Sequence, residues 1–183
     1  MGSRIYDPIQ SIGADIAEGY YWLFLDAFDT LLWRQCLWPT DIFKKLAENC
    51  RFPHLTAWHR KLSERISYLR SPNPTYERVF NGFFAWTIDQ EYAAERDEIR
   101  ANPFFLRALN RFGSELRLVV LSDMYMSSVQ ISDLLDAAGY NLDSFHAIFS
   151  SADIYATKYN GTACTSVAQR LDLTFTHTWF RSF

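Results

Sequence analysis

Short apolar runs, each closed by a polar cluster, alternate along this chain with stretches whose apolar residues recur at helical spacing. Tyr20-Tyr-Trp-Leu-Phe-Leu25 lies between Gly19 and Asp26, Leu116-Arg-Leu-Val-Val-Leu121 ends at Ser122-Asp123, and Ala147-Ile-Phe149 ends at Ser150-Ser151. Unbroken apolar runs of this length fit strands buried on both faces, as in a parallel sheet. A fourth run with more alternation, Leu173-Thr-Phe-Thr-His-Thr-Trp179, predicts a further strand.

Between the first two strands the pattern turns helical. Thr40 precedes Ile42, Phe43, Leu46 and Ala47; Thr56 precedes Trp58, Leu62, Ile66 and Leu69; Thr75 opens a segment around Val79, Phe80, Phe83 and Phe84. Thr87 and Gln90 have the spacing of a capping box, ahead of helix formers running to Arg100. Asn102-Pro103 reads as an N-cap with proline in the first turn, and Gly113 as the stop. Ser127 and Gly139 bracket another helix, and a last one is expected from Thr162 to Leu171.

Strands alternating with helices predict an α/β fold: a parallel sheet with crossover helices. The surplus helices do not fit one crossover, so they read as an inserted helical subdomain. The predicted division is an α/β core of residues 1–33 and 111–183, interrupted by a helical cap of residues 34–110.

Composition narrows the function classes. The 183 residues are 49% hydrophobic and 21% charged with a net charge of −3, which excludes a disordered chain and disfavours nucleic-acid binding through phosphate neutralisation. No apolar run approaches the roughly 20 residues of a membrane helix. Cys36, Cys50 and Cys164 show no CxxC spacing, and no signal peptide opens the sequence, so a cytoplasmic protein is expected. Aromatic residues, at 17%, predict a bulky core, tryptophans included.

Ligands of parallel sheets bind beyond the carboxyl ends of the strands. Asp26-Ala-Phe-Asp29-Thr30, Ser122-Asp123, Ser150-Ser151 and Lys158 all fall there. A carboxylate, a hydroxyl and an ammonium in one crevice suit a phosphate and its metal: Asp26 as nucleophile or metal ligand, Ser122 as donor to a phosphoryl oxygen, Lys158 as charge neutraliser. The bland alternative is that these residues cap helices and shape turns.

Phe24-Leu-Asp26-Ala-Phe28-Asp29-Thr-Leu-Leu32-x-Arg34 resembles the first motif of the haloacid dehalogenase (HAD) superfamily in its D-x-F-D-T-L-L-x-R form, with Pro39-x-Asp41-x-Phe43 as its continuation. Val120-Leu-Ser122-Asp-Met-Tyr125 resembles the second motif, and Thr157-Lys158 with Asn160-Gly161 the third. The resemblance implies a Rossmann-like α/β core with an inserted helical cap, and Mg²⁺-dependent hydrolysis of a small phosphorylated metabolite through an aspartyl-phosphate. In it Asp26 is the nucleophile and a metal ligand, and the Phe28 backbone carbonyl is the second metal ligand. Ser122 and Lys158 hold the phosphoryl group.

Two departures accompany it. Phosphatases of the superfamily carry an Asp two residues after the nucleophile as general acid, as its dehalogenases do not. Here that position is Phe28, which leaves Asp29 as the substitute acid. No acidic residue follows Asp172, so the fourth motif's metal carboxylates are absent from the sequence. Two expectations follow: weak metal binding, and a chain truncated before that motif. The competing reading is therefore a catalytically impaired or inactive truncated domain that binds phosphate or a partner, or has no independent role, and an unpaired sheet edge makes a dimer possible. His177 is the conceivable stand-in ligand; His54, His59 and His146 read as structural. Asn160-Gly161-Thr162 reads as a turn, and Arg60, Lys61, Arg65 and Arg70 as the solvated side of a helix.

Overall fold

A computed structural model of the chain describes residues 22–36, 38–112 and 115–173. The elements run β1 (Trp22–Leu25), β2 (Leu32–Arg34), α1 (Asp41–Ala47), α2 (Pro53–Arg70), α3 (Tyr76–Val79), α4 (Ile88–Glu98) and β3 (Ile99–Ala101). They continue through α5 (Pro103–Phe112), β4 (Arg117–Ser122), α6 (Ser128–Ala137), a 3₁₀ turn (Leu142–Ser144), β5 (Phe145–Ser150), α7 (Ser151–Ile154) and α8 (Thr162–Arg170).

β1, β4 and β5 form a parallel sheet in the order β1-β4-β5. The central strand explains why this sequence makes a sheet covered on both sides. Leu118 and Val120 pack into one core with Ile131 and Leu134 of α6 and Ala108 of α5. Val119 and Leu121 face the other way, onto Phe24, Ile154 and the α8 residues Ala163 and Val167. A strand apolar on both faces needs helices on both faces, and the crossovers supply them. The expected strand from Leu173 to Trp179 falls outside the described residues apart from Leu173.

Register sets up the crevice. Leu25 lies opposite Val120, and Ser122 opposite Ser150. All three strands therefore end side by side, with Asp26 beside Leu121 and Ser122 one step further on.

The helical excursion α1–α4 leaves and returns through an antiparallel ribbon, in which Trp33 of β2 lies opposite Arg100 of β3. Strands of three residues carry no readable periodicity, and the sequence pattern runs the helix on to Arg100; it ends at Glu98. The Asn102 side chain ties the returning chain to the turn after β1, donating to the Thr30 carbonyl at 2.7 Å and accepting from Phe104 N–H at 3.0 Å.

Within the excursion α2 is turned roughly opposite to its apolar pattern. Arg60, expected on the solvated side, is fully buried with Ser63 and Ser67, whereas Trp58 and Leu69 are exposed, Leu69 to 87%. Of the tryptophans expected in the core, Trp86 is buried while Trp33, Trp38 and Trp58 are exposed. The reason lies in what Arg60 meets. Its guanidinium forms a two-pronged pair with Glu91 of α4, at 2.6 and 2.7 Å, and stacks 4.6 and 4.7 Å from the rings of Phe43 and Phe80. A planar cation that is paired and stacked can be buried where a lone one cannot.

Candidate active site

The turn after β1 fixes Asp26. Its Oδ1 accepts from the Ala27 N–H at 2.8 Å, and its Oδ2 from Lys158 Nζ at 2.5 Å. The Ala27 carbonyl takes the N–H groups of both Leu31 and Leu32, and Asp29 N–H donates to the Leu32 carbonyl. The Phe28 carbonyl is thus left out of the turn's own hydrogen bonds. Burial holds the Asp26 carboxyl above the usual carboxylate range; Lys158 and the Ala27 N–H pull it down, and the charge of Asp123 adds to the rise.

Ser122 ends β4 fully buried, and its Oγ has no hydrogen-bond partner among the described residues. Leaving such a hydroxyl unpaired costs about 1–3 kcal/mol, so a buried orphan beside a carboxylate is a seat for a ligand oxygen.

Asp123 is the residue whose role sequence reasoning missed. Both its carboxylate oxygens accept the backbone N–H of Lys158, at 2.8 and 3.1 Å, which anchors the lysine loop to the end of β4. The signal was present in the Ser122-Asp123 pair, but nothing in the spacing reveals a side chain reaching for a backbone 35 residues away. The Lys158 loop closes through a turn at Asn160-Gly161, with Gly161 at φ +74° and Asn160 Oδ1 accepting from the Thr162 N–H at 3.1 Å. The turn reading of that tripeptide matches the geometry.

Ser150 and Ser151 do other work. The Ser150 hydroxyl reaches the carbonyls of Met126 and Met124 at 2.5 and 3.1 Å, and Ser151 reaches Met124 at 3.4 Å. They shape the loop after β4 and are committed to it. Asp29 sits exposed at a positive φ of 59°, a conformation Asp tolerates better than most residues. His54, His59 and His146 are exposed and distant from these groups in sequence, while His177 lies outside the described residues. Cys36, Cys50 and Cys164 are free thiols. Among the described residues, no helix is long and apolar enough to cross a membrane.

No protein-family model matches the sequence, and no curated protein matches it either. Solved structures do. L-2-haloacid dehalogenase RSc1362 superposes with a TM-score of 0.56 at 17% identity, over 89% of this chain and 78% of its own. The L-2-haloacid dehalogenase of Xanthobacter autotrophicus gives 0.59 at 16%, over 85% and 66%. A HAD family enzyme of Bacteroides thetaiotaomicron, bt-2542, in complex with magnesium and inorganic phosphate, gives 0.55 at 15%, over 85% and 80%. The chain has the HAD fold.

In this HAD fold the excursion packs onto the same end of the sheet as the crevice. Arg60 Nη2 lies 3.5 Å from the hydroxyl of Tyr125, three residues past Ser122, and the Tyr125 ring packs 4.8 Å from that of Tyr76. Arg34, at the root of the ribbon, lays its guanidinium 4.4 Å over the Phe28 ring and pairs with Glu95 at 2.6 Å. Phe28, two residues past Asp26, is thus a buried aromatic under a cation.

The oxygens of Asp26, Asp123 and the Phe28 carbonyl are hard donors of the kind Mg²⁺ takes. Among the described residues, no group of three or more His, Cys, Asp and Glu side chains converges as a metal cluster. The donor set fits a cation that keeps much of its water.

Proposed function

We propose that this chain is a HAD-type hydrolase, a phosphatase for small phosphorylated metabolites that works through an aspartyl-phosphate on Asp26, with the excursion α1–α4 as its cap. The observation that carries the reading is the Asp26–Lys158 contact beside the orphaned Ser122 hydroxyl: nucleophile, counter-charge and oxygen donor at adjoining strand ends.

In this reading an Asp26 oxygen attacks phosphorus and the ester P–O bond breaks. Ser122 Oγ donates to a phosphoryl oxygen, and Lys158 offsets the charge gathered on nucleophile and phosphate. Asp123 holds Lys158 in place through its backbone. Water then hydrolyses the acyl-phosphate, releasing phosphate and restoring the Asp26 carboxylate. Asp26 and the Phe28 carbonyl would hold Mg²⁺, while both Asp123 oxygens stay on the Lys158 backbone. Bound there, the cation supplies charge neutralisation between two anions. The leaving oxygen needs a proton that Phe28 cannot give; Asp29 is the nearest carboxyl in sequence.

A non-catalytic reading competes on one observation: few side-chain donors stand ready for a cation among the described residues. The same crevice would then bind phosphate without turnover. Phosphate release from a panel of phosphomonoesters, with and without Mg²⁺ and with Asp26→Asn as control, decides between them. Mg²⁺-dependent release that Asp26→Asn abolishes supports the hydrolase. Release no faster than that control, from folded protein, supports a domain without turnover.

A further inference from the structure

The apolar stripe of α2 faces outward. Leu55, Trp58, Leu62, Ile66 and Leu69 fall three and four residues apart, along one side of the helix for about 21 Å. Leu55, Trp58, Ile66 and Leu69 are 61%, 58%, 36% and 87% exposed, and Leu62 is half-buried. The helix is held to the molecule from its other side, through the buried Arg60, Ser63 and Ser67. An apolar surface of this extent on a folded chain marks a contact site.

Its borders carry one sign of charge. By helical geometry Lys61 and Arg65 lie along one border and Arg70 along the other. All three are exposed, and none holds an ion pair among the described residues. The single carboxylate of α2, Glu64, stands on the opposite side of the helix, 3.4 Å from Arg60. Next to the stripe the surface dips into a cleft of about 170 Å³ between α2 and the turn after α3. Leu62 and Ile66 line it from the helix, Asn81 and Gly82 from the turn, and Arg70 and Arg78 add two guanidiniums. The Ser63 and Ser67 hydroxyls fasten its two walls together, donating to the Val79 and Arg78 carbonyls at 2.6 and 2.8 Å. No carboxylate lines it.

We propose that this face of α2 docks an acidic amphipathic helix of a partner protein. The partner's apolar residues lie on the stripe, one of them enters the cleft, and its carboxylates meet Lys61, Arg65, Arg70 and Arg78. Charge decides among the occupants. The chain as a whole carries −3, so the basic borders are a local feature whose complement is a helix edged with acids. A second copy of the chain would set one basic border against another in either orientation, and like charges across an interface repel. An anionic bilayer would answer the charges but has no discrete side chain to fill the cleft. The docking requires nothing of the chemistry in the crevice.

The intact chain is titrated, by fluorescence anisotropy, with labelled three-heptad peptides that carry Leu at a and d and either Glu or Lys at e and g. The Glu peptide should bind and the Lys peptide should not, and added salt should weaken the binding. Leu55→Glu with Leu69→Glu, both at positions open to solvent, should weaken it about tenfold or more. Arg65→Glu with Arg70→Glu should transfer the preference to the Lys peptide. Circular dichroism checks that each variant is folded. Binding of neither peptide, equal binding of both, or a preference that survives the charge reversal overturns the proposal. So does a dimer in light scattering that Leu55→Glu with Leu69→Glu dissociates, which gives the face to a second copy. Flotation with phosphatidylserine vesicles that the same variant loses gives it to a membrane and overturns the proposal as well.

Discussion

Two ion pairs built from similar chemistry behave in opposite ways. Arg60 and Glu91, inside the excursion, have side chains 0% and 2% exposed, and Glu91 also accepts from Trp86 Nε1 at 3.0 Å and from the Tyr76 hydroxyl at 3.4 Å. The charged atoms of that pair are answered by protein. Lys158 and Asp26, at the strand ends, are 21% and 26% exposed, and the hydroxyl at the end of the next strand has no partner. The first pair is saturated and closed, the second unsaturated and open. Saturation is what a scaffold needs, since a buried charge without partners costs several kcal/mol. Unsaturation at a half-open carboxylate leaves room for a ligand to complete the set.

The largest expected effect separates the two pairs by function. Asp26→Asn should lower turnover by about 10³-fold or more, as removal of a nucleophile does. Its stability should move the other way. The fold raises the pKa of Asp26, so it favours the neutral carboxyl; the resulting stabilisation is complete below the ordinary value of 3.8 and is lost as pH rises through the higher folded value. At neutral pH the ionised group is therefore a burden that Asn lifts. Urea unfolding of both proteins from pH 4 to 7 should show Asp26→Asn gaining on wild type as pH rises; a gap that narrows contradicts the sign.

The next effect is on stability. Arg60→Leu leaves Glu91 buried without its cation and should cost about 3–5 kcal/mol, whereas Arg60→Leu with Glu91→Leu should recover most of that loss. Lys158→Met removes a half-exposed partner and should cost about 1 kcal/mol or less while turnover collapses. Urea midpoints of the four proteins test the contrast, which fails if Lys158→Met destabilises as much as Arg60→Leu.

The same contrast explains what the sequence could tell. Strand ends are legible, because an unbroken run such as Leu118 to Leu121 must be a buried strand and whatever polar residue follows it must face the crevice. Asp26 and Ser122 are legible for that reason, and the structure pairs Asp26 with Lys158 while the adjoining strand ends at Ser122. The saturated pair was illegible. Arg60 sits among Lys61, Arg65 and Arg70 in sequence, and an arginine's burial depends on a carboxylate 31 residues away and on rings from two other segments. Helical periodicity placed Trp58 and Leu69 inward, and tertiary pairing reversed it. Asp123 escaped for a related cause: what it does depends on a backbone N–H 35 residues away that only the fold brings near.

The smallest expected effect probes whether the two regions are linked through their helix starts. The capping box that the sequence predicts at Thr87 is present, and the structure adds a second at Ser127: Gln90 N–H to Thr87 Oγ1 at 3.2 Å in the excursion, and Gln130 N–H to Ser127 Oγ at 3.3 Å in the core, each answered by the glutamine's Oε1 at 2.9 Å. Removing either hydroxyl should cost about 1 kcal/mol, so Thr87→Ala and Ser127→Ala should look alike in a urea titration. They should differ in kinetics. Ser127 closes the loop that begins at Ser122 and Asp123, and loosening it displaces both the orphaned hydroxyl and the anchor of Lys158. Ser127→Ala should therefore raise KM by a few-fold, whereas Thr87→Ala, at the start of a helix that reaches the crevice indirectly, through Glu91 on Arg60 and Glu95 on Arg34, should leave KM unchanged. An equal rise in both variants would mean that the excursion's interior transmits strain to the crevice, and the closed pair would then belong to the catalytic machinery as much as the open one.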